Sequence, residues 1–470
     1  MWQGKRKSND EKEVRSDEIR SMAGSGASFH PCLSLEVAGR EPHQSYHLKI
    51  PPSLPQKFAN LIPRYRTMEQ AKVLTSKASL VLDLPPSCVQ FCPSYPNYLV
   101  VGTYNLRKQD GGEAELDAES VENKKPQSRN GSLVLFKTDG DTFTHIQTLA
   151  LPSAILDLRF HPAEEHRDVF GVVSSTGTLD VFRIDPASRP ESPVFHLNTS
   201  RCDDLDDHVL FLQFNWHPSD PRALGLTTST GLARVVRLND QWSITDSMDL
   251  DIQNSLEAWS IAFSPSTSDG SESRVTVYCG GDDSTLRYNT YQRQDGGDAD
   301  SFLDASFASM TIKGQHEAGV TAILPLSLED DTGGRLVVTG SYDDHIRLLA
   351  IYDLDKTYGM KRVKLLAEEN LGGGVWRLDL VSQSDPGSEE GRVLLLASCM
   401  HAGSRIIEAR RRGEGEGSQW EWRVLARFEE HKSMNYGSSF MAPVTGAGDG
   451  GGLKCVSTSF YDKLLCLWEY

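Results

Sequence analysis

Seven stretches of the chain share one hydrophobic rhythm. They are "LVVGTYNL" from Leu99, "VFGVVSSTGTLDVFRI" from Val169, "ALGLTTSTGLARVVRL" from Ala223, "VTVYCGGDDSTLRYNT" from Val275, "LVVTGSYDDHIRLLAIY" from Leu336, "LASCMHAGSRII" from Leu396 and "KCVSTSFYDKLLCLWEY" from Lys454. Each runs apolar, breaks at small or polar residues, and then resumes, usually with alternation. That pattern predicts two strands joined by a tight turn. In the first stretch an insertion delays the second strand to "GSLVLFKT" from Gly131.

One more short apolar strand precedes each pair. These are "SCVQFCP" from Ser87, "SAILDLRFHP" from Ser153, "HVLFLQFNWHP" from His208, "EAWSIAFSP" from Glu257, "GVTAILPL" from Gly319, "GGVWRLDL" from Gly373 and "NYGSSFMAP" from Asn435. Most reach a proline where the following turn must begin. The unit recurs every roughly 50–65 residues, above the ~40–45 of the leanest WD-type blades, and inserted loops account for the excess. Seven units of about four strands predict an all-β fold, a seven-bladed WD-repeat β-propeller over residues 76–470. The chain stops at Tyr470 one strand short of a complete last blade. "ASLVLDLPP" from Ala78 is the unassigned strand that closes the ring from the N-terminal side and covers the exposed edge. Residues 1–75 lack periodicity and read as mostly disordered. The basic run Arg410–Arg412 reads as a loop because of its Gly/Glu-rich continuation.

Composition narrows the class. A chain of 470 residues with a formal net charge of −17 is not built around nucleic acid. Eight scattered cysteines with no C-x-x-C pair and no His/Cys zinc spacing predict free thiols, a reducing compartment and no metal. With no apolar leader and no apolar run of ~18 residues, the expectation is a soluble cytoplasmic protein without membrane attachment.

In a propeller, the turn between a blade's second and third strands opens on the same face as the approach to its first strand. Polar and aromatic residues distant in sequence therefore meet at one channel mouth. Tyr104 and Asn105 come from blade one, and Glu257, Trp259, Asp282 and Asp283 from blade four. Blade five supplies Tyr342, Asp343 and His345, blade six Trp376, Cys399 and His401, and blade seven His431, Tyr436, Tyr461 and Asp462. Blades two and three offer only "SSTG" and "TSTG". Several of these residues have plain structural uses as well. Turn aspartates such as Asp282, Asp343 and Asp462 tie down their own loops, His431 resembles a turn brace, and the tryptophans pack between blades. The chain contains no G-x-S-x-G elbow, P-loop, dinucleotide fingerprint or H-E-x-x-H motif.

The turn segments "VGTYNLR", "SAILDLRF", "EAWSIAF", "YCGGDDSTLR", "VTGSYDDHIRLL", "GGGVWRLDL", "LASCMHAGSRI", "SMNYGS" and "STSFYDKLLCLW", in this order, resemble those of the diphthine methyl ester hydrolase family. These are the WD-repeat proteins of diphthamide biosynthesis, also called diphthine methyltransferases. The resemblance spans about Ala78 to Tyr470. It implies hydrolysis of the methyl ester of a methylated diphthine side chain on elongation factor 2, giving diphthine and methanol, with no cofactor. It supplies no catalytic residues. The chain departs from a WD pattern in blades four and five, which end in "RYNTYQ" and "LLAIYD".

Ester hydrolysis calls for a proton-transfer group and either a nucleophile or an activated water. His401 is the expected proton-transfer group. Cys399 would be the nucleophile in one route. In the other, His401 activates water while Asp343 or Asp283 orients it, with His345 and His431 in reserve. A trimethylammonium group donates no hydrogen bond, so aromatic faces are its natural receptors. Trp259, Trp376, Tyr342 and Tyr436, with Glu257 and Tyr461 beside them, are the expected substrate-binding residues. The competing class is a non-catalytic WD-repeat scaffold, such as a ubiquitin-ligase substrate receptor. The missing W-D endings and the Cys/His turn weigh against it.

Overall fold

The computed structural model describes residues 71–106, 129–265, 274–293, 303–385, 391–413, 419–441 and 452–470. The expectation of disorder for residues 1–70 falls outside that set, as do most of the long inserted loops. Seven antiparallel sheets follow one another along the chain. Blade two is typical: Ile155–Phe160, Val169–Ser174, Thr178–Ile184 and Val194–Arg201 pair in sequence order. In blade four the outer edge is split into Leu303–Ala305 and Met310–Ile312, both paired with Leu286–Arg293.

Closure follows the expectation. Ala78–Val81 pairs antiparallel with Leu464–Glu469 and completes blade seven. The chain makes one further connection. Lys72–Leu74 adds a parallel fifth strand to the edge of blade six, against Gln419–Phe428. The N-terminal segment thus bridges two neighbouring blades before it starts the first, and ordered pairing begins a few residues ahead of the expected boundary at 76. The run Arg410–Arg412 is the end of the strand Gly403–Arg412, not a loop. Strand alternation directs Arg411 to Asp331 and Arg412 to Glu421.

Blades seal against each other through one repeated contact. The second strands carry Gly102, Gly171, Gly225, Gly280 and Gly340. A side chain from the next blade's first strand fills each gap: Ile155, Phe214, Ile261 with Phe263, Val320 and Val375 respectively. A Cβ at Gly340 would lie 2.5 Å from the Val375 side chain, so these positions admit no larger residue without moving a blade. The seven described cysteines are free and buried, in line with the cysteine spacing. Among the described residues no helix is long and apolar enough to cross a membrane. No group of His, Cys, Asp and Glu among them is arranged to hold a metal.

Candidate functional site

The mouth formed by blades four to seven holds a connected set of aromatic rings. Trp376, half-buried at the start of blade six, is the hub. Its ring centroid lies 5.5 Å from Trp259 of blade four, 6.0 Å from Tyr342 of blade five and 5.1 Å from Tyr436 of blade seven. Tyr436 continues to Phe460 at 5.4 Å, and Phe460 to Tyr461 and Tyr104. Tyr461 is exposed, while Trp259, Tyr436 and Tyr104 are buried. Four residues placed at one mouth by blade counting alone are thus brought into ring contact. Phe460, which links them to blade one, was not anticipated. The "SFYD" turn that contains it was the available signal.

The turns show why some polar residues reach the mouth and others do not. In blade four, Arg287 of the third strand pairs with Asp283 at 2.8 Å, and Asp283 also accepts from the Ser255 backbone N–H and hydroxyl. Blade five repeats the device: Arg347 pairs with Asp343 at 2.8 Å, and Asp343 accepts from the N–H groups of Glu317 and His345. Burial pushes both carboxyls up, but the arginine and backbone donors outweigh it and hold them below the ordinary carboxylate value. In blade seven Asp462 accepts from the hydroxyls of Ser433 and Ser459 and is likewise held low against its burial. Asp283 and Asp343 are therefore committed to bracing their turns, and neither is free to orient a water. His345 is tied through Nδ1 to the Asp343 carbonyl at 2.6 Å. His431 is a brace, bonded to Ser457, which also accepts from Trp468. Burial pushes His431 down to about 4.

Pairing of Gly280 with Leu286, Gly340 with Ile346 and Ser398 with Ser404 fixes a common register. Four residues before each third-strand arginine stand Asp283, Asp343 and His401. One residue earlier stand Asp282, Tyr342 and Met400. The earlier position meets the mouth, and the later one serves the turn. In blade six His401 occupies the brace position without a carboxylate, and Arg405 turns instead to the Ala402 carbonyl and Glu429. His401 is exposed on a single 3-10 turn, Met400–Ala402, where no hydrogen bond, ion pair or ring contact engages it among the described residues. Met400 is the residue directed inward: its Sδ lies 2.7 Å from where a Cβ on Gly374 would be, beside the Tyr342 backbone. Cys399 is fully buried in the seam between blades five and six, and burial pushes its thiol up to about 12. A thiol in that state is a small core side chain, not an attacking thiolate. Its burial weighs against the Cys399 route, one of the two left open by the sequence.

Asp282 is the carboxylate that the mouth does contain. The Trp259 indole N–H donates to its Oδ1 at 2.5 Å, and Gly319 packs against it. Burial, with Glu257 and Asp283 adding to it, pushes Asp282 up to about 6, although the Trp259 bond pulls the other way. Glu257 is 8% exposed, and no hydrogen bond or ion pair engages its carboxylate among the described residues. Below the rings the channel wall carries Asp157, held by Arg377 at 2.7 Å and Arg159 at 3.1 Å, together with Asp379, which burial pushes up to about 6. These channel residues escaped the sequence reading. Their signal was the charge interrupting two apolar first strands, "ILDLRF" and "VWRLDL".

No protein-family model matches the chain. Three curated proteins named diphthine methyltransferase resemble it over most of their length. The Schizosaccharomyces pombe protein is 25% identical over 398 residues, covering 84% of this chain and 97% of the relative. The human protein is 25% identical over 389 residues, covering 76% and 77%. The Saccharomyces cerevisiae protein is 24% identical over 427 residues, covering 82% and 95%. Among solved structures, Sqt1 from Chaetomium thermophilum superposes with a TM-score of 0.50 at 15% identity, covering 85% of this chain and all of that one, which speaks to the fold alone. At 24–25% identity over 76–84% of its length, this chain is similar to proteins named diphthine methyltransferase.

Proposed function

We propose that the protein hydrolyses the methyl ester of methylated diphthine on elongation factor 2, releasing methanol and leaving diphthine. The observation that carries this reading is the ring cluster around Trp376 with two carboxylates, Asp282 and Glu257, beside it. The substrate side chain bears a trimethylammonium group, which is a permanent cation with no N–H. Aromatic faces attract such a cation by roughly 0.5–2 kcal/mol per contact, and nearby carboxylates add longer-range attraction. The names of the relatives point to the same pathway. Within this reading Trp376, Trp259, Tyr342 and Tyr436 receive the cation, Glu257 balances its charge, and Tyr461 stands at the exposed rim.

The test is mass spectrometry of methylated elongation factor 2 incubated with the purified protein. Loss of about 14 Da from the modified histidine, with release of methanol, is the expected result. Stable capture of the factor with no change in mass would favour the scaffold reading instead.

A further inference from the structure

We propose that Asp282 is the proton acceptor in this ester hydrolysis, with the Trp259 indole N–H aiming its carboxylate. The inference rests on the hydrolase reading above and names the group that carries out its chemistry. A water molecule attacking a methyl ester must lose a proton as its oxygen bonds to the carbonyl carbon. The acceptor must be oriented, accessible from the mouth and not already committed to another donor.

The other candidates fail on geometry. Asp283 and Asp343 are each held by an arginine and by backbone N–H groups. His345 is bonded within its own turn and His431 to Ser457 of the strand Lys454–Ser459. His401 has no partner among the described residues to orient its ring. Asp282 differs on each count. Its Oδ1 is fixed by Trp259, whose own ring lies against Trp376. Its Oδ2 accepts no hydrogen bond from the described residues. It is only partly buried, and Gly319 packs close to it: a Cβ there would lie 3.0 Å from Asp282 Oδ1.

In the first step the water oxygen bonds to the ester carbon, its proton passes to Asp282 Oδ2, and the carbonyl electron pair becomes an oxyanion. In the second the carbonyl re-forms, the bond from carbon to methoxy oxygen breaks, and the Asp282 proton moves to the departing oxygen to give methanol. The acid product then loses its remaining proton to solvent, and Asp282 ends as it began. No metal, redox partner or cofactor enters the balance. The shifted proton affinity of Asp282 suits the role: a carboxyl raised to about 6 is a stronger base than an ordinary one yet is still ionised near neutral pH. The charged groups acting on it are Glu257 and Asp283 of its own blade, and from blade five Gly319 packs against it.

The experiment is the pH dependence of kcat/KM on methylated elongation factor 2 for wild type, Asp282→Asn and Trp259→Phe. Wild type is expected to lose activity below an apparent value near 6. Asp282→Asn should lose about 10²–10⁴-fold in rate and lose that acid limb with it. Its folding is checked by cooperative thermal unfolding alongside the rate. The folded-state value lies above the ordinary 3.8, so the ionised Asp282 lowers stability as pH rises through this window, and removing the charge relieves that. Trp259→Phe keeps a ring against Trp376 but removes the N–H that favours the ionised form. Its acid limb should move to higher pH. An Asp282→Asn variant with wild-type rate and limb, or a Trp259→Phe limb that stays in place, overturns the assignment. Absence of demethylation by wild type would overturn the hydrolase reading itself, so the two failures are distinct.

Discussion

Blades two and three present the same strand–turn–strand unit to the channel mouth as blades four and five, yet the two pairs use it differently. In blades two and three the turn hydroxyls satisfy one another: Ser174 bonds Thr176 and Thr178, Ser153 bonds Thr176, and Thr228 bonds Thr230. Gly177 and Gly231 take the left-handed conformation that closes such turns. These hydroxyls are used within the turns themselves. In blades four and five one aspartate, anchored by the arginine four residues on, stabilises the whole turn. The residue before it does not carry that brace, and that is where Asp282 and Tyr342 stand. A turn that is stabilised from one position can place chemistry at the next.

Breaking the brace should have the largest effect. Asp343 and Arg347 have side chains only 5% and 3% exposed, so Asp343→Ala leaves the buried guanidinium with Glu368 as its remaining carboxylate partner and should cost about 1–3 kcal/mol, read as a lower unfolding midpoint. The exposed Thr176→Ala in the plain turn of blade two serves as the control and should stay within about 0.5 kcal/mol of wild type. Equal losses in the two variants would mean that the contrast between the turns is only apparent.

Next in size is the hub of the rings. Trp376→Ala removes a half-buried face shared by Trp259, Tyr342 and Tyr436. We expect roughly tenfold weaker binding of a peptide carrying the trimethylated side chain, with cooperative unfolding retained, by titration calorimetry. The same affinity as wild type would reduce Trp376 to blade packing. The smallest effect is expected at the Cys/Met/His turn. His401→Ala removes an exposed ring that engages no described neighbour and should leave kcat/KM within about twofold. A hundredfold loss would instead move the proton-transfer group from blade four to blade six.

The seven-fold repeat, the all-β class and the closing strand were legible in the sequence because strand alternation and turn chemistry are local. Blade counting also gathered Trp259, Trp376, Tyr342 and Tyr436 at one mouth, because a closed ring fixes which end of each strand faces the channel. Local sequence could not decide which turn residue faces inward. Asp282 and Asp283 are the same residue type in adjacent positions, and only the Arg287 guanidinium and the Trp259 indole tell them apart. Cys399, Met400 and His401 likewise read as a reactive trio on paper. Cross-strand register buries the thiol, turns the thioether toward Gly374 and leaves the imidazole in solvent. Side-chain direction and proton affinity depend on neighbours far apart in sequence, such as the Trp376 ring beside Trp259. The sequence therefore determined the ring and the residues at its mouth, and the packing of one blade against the next decided which of them hold the turns and which are left to act.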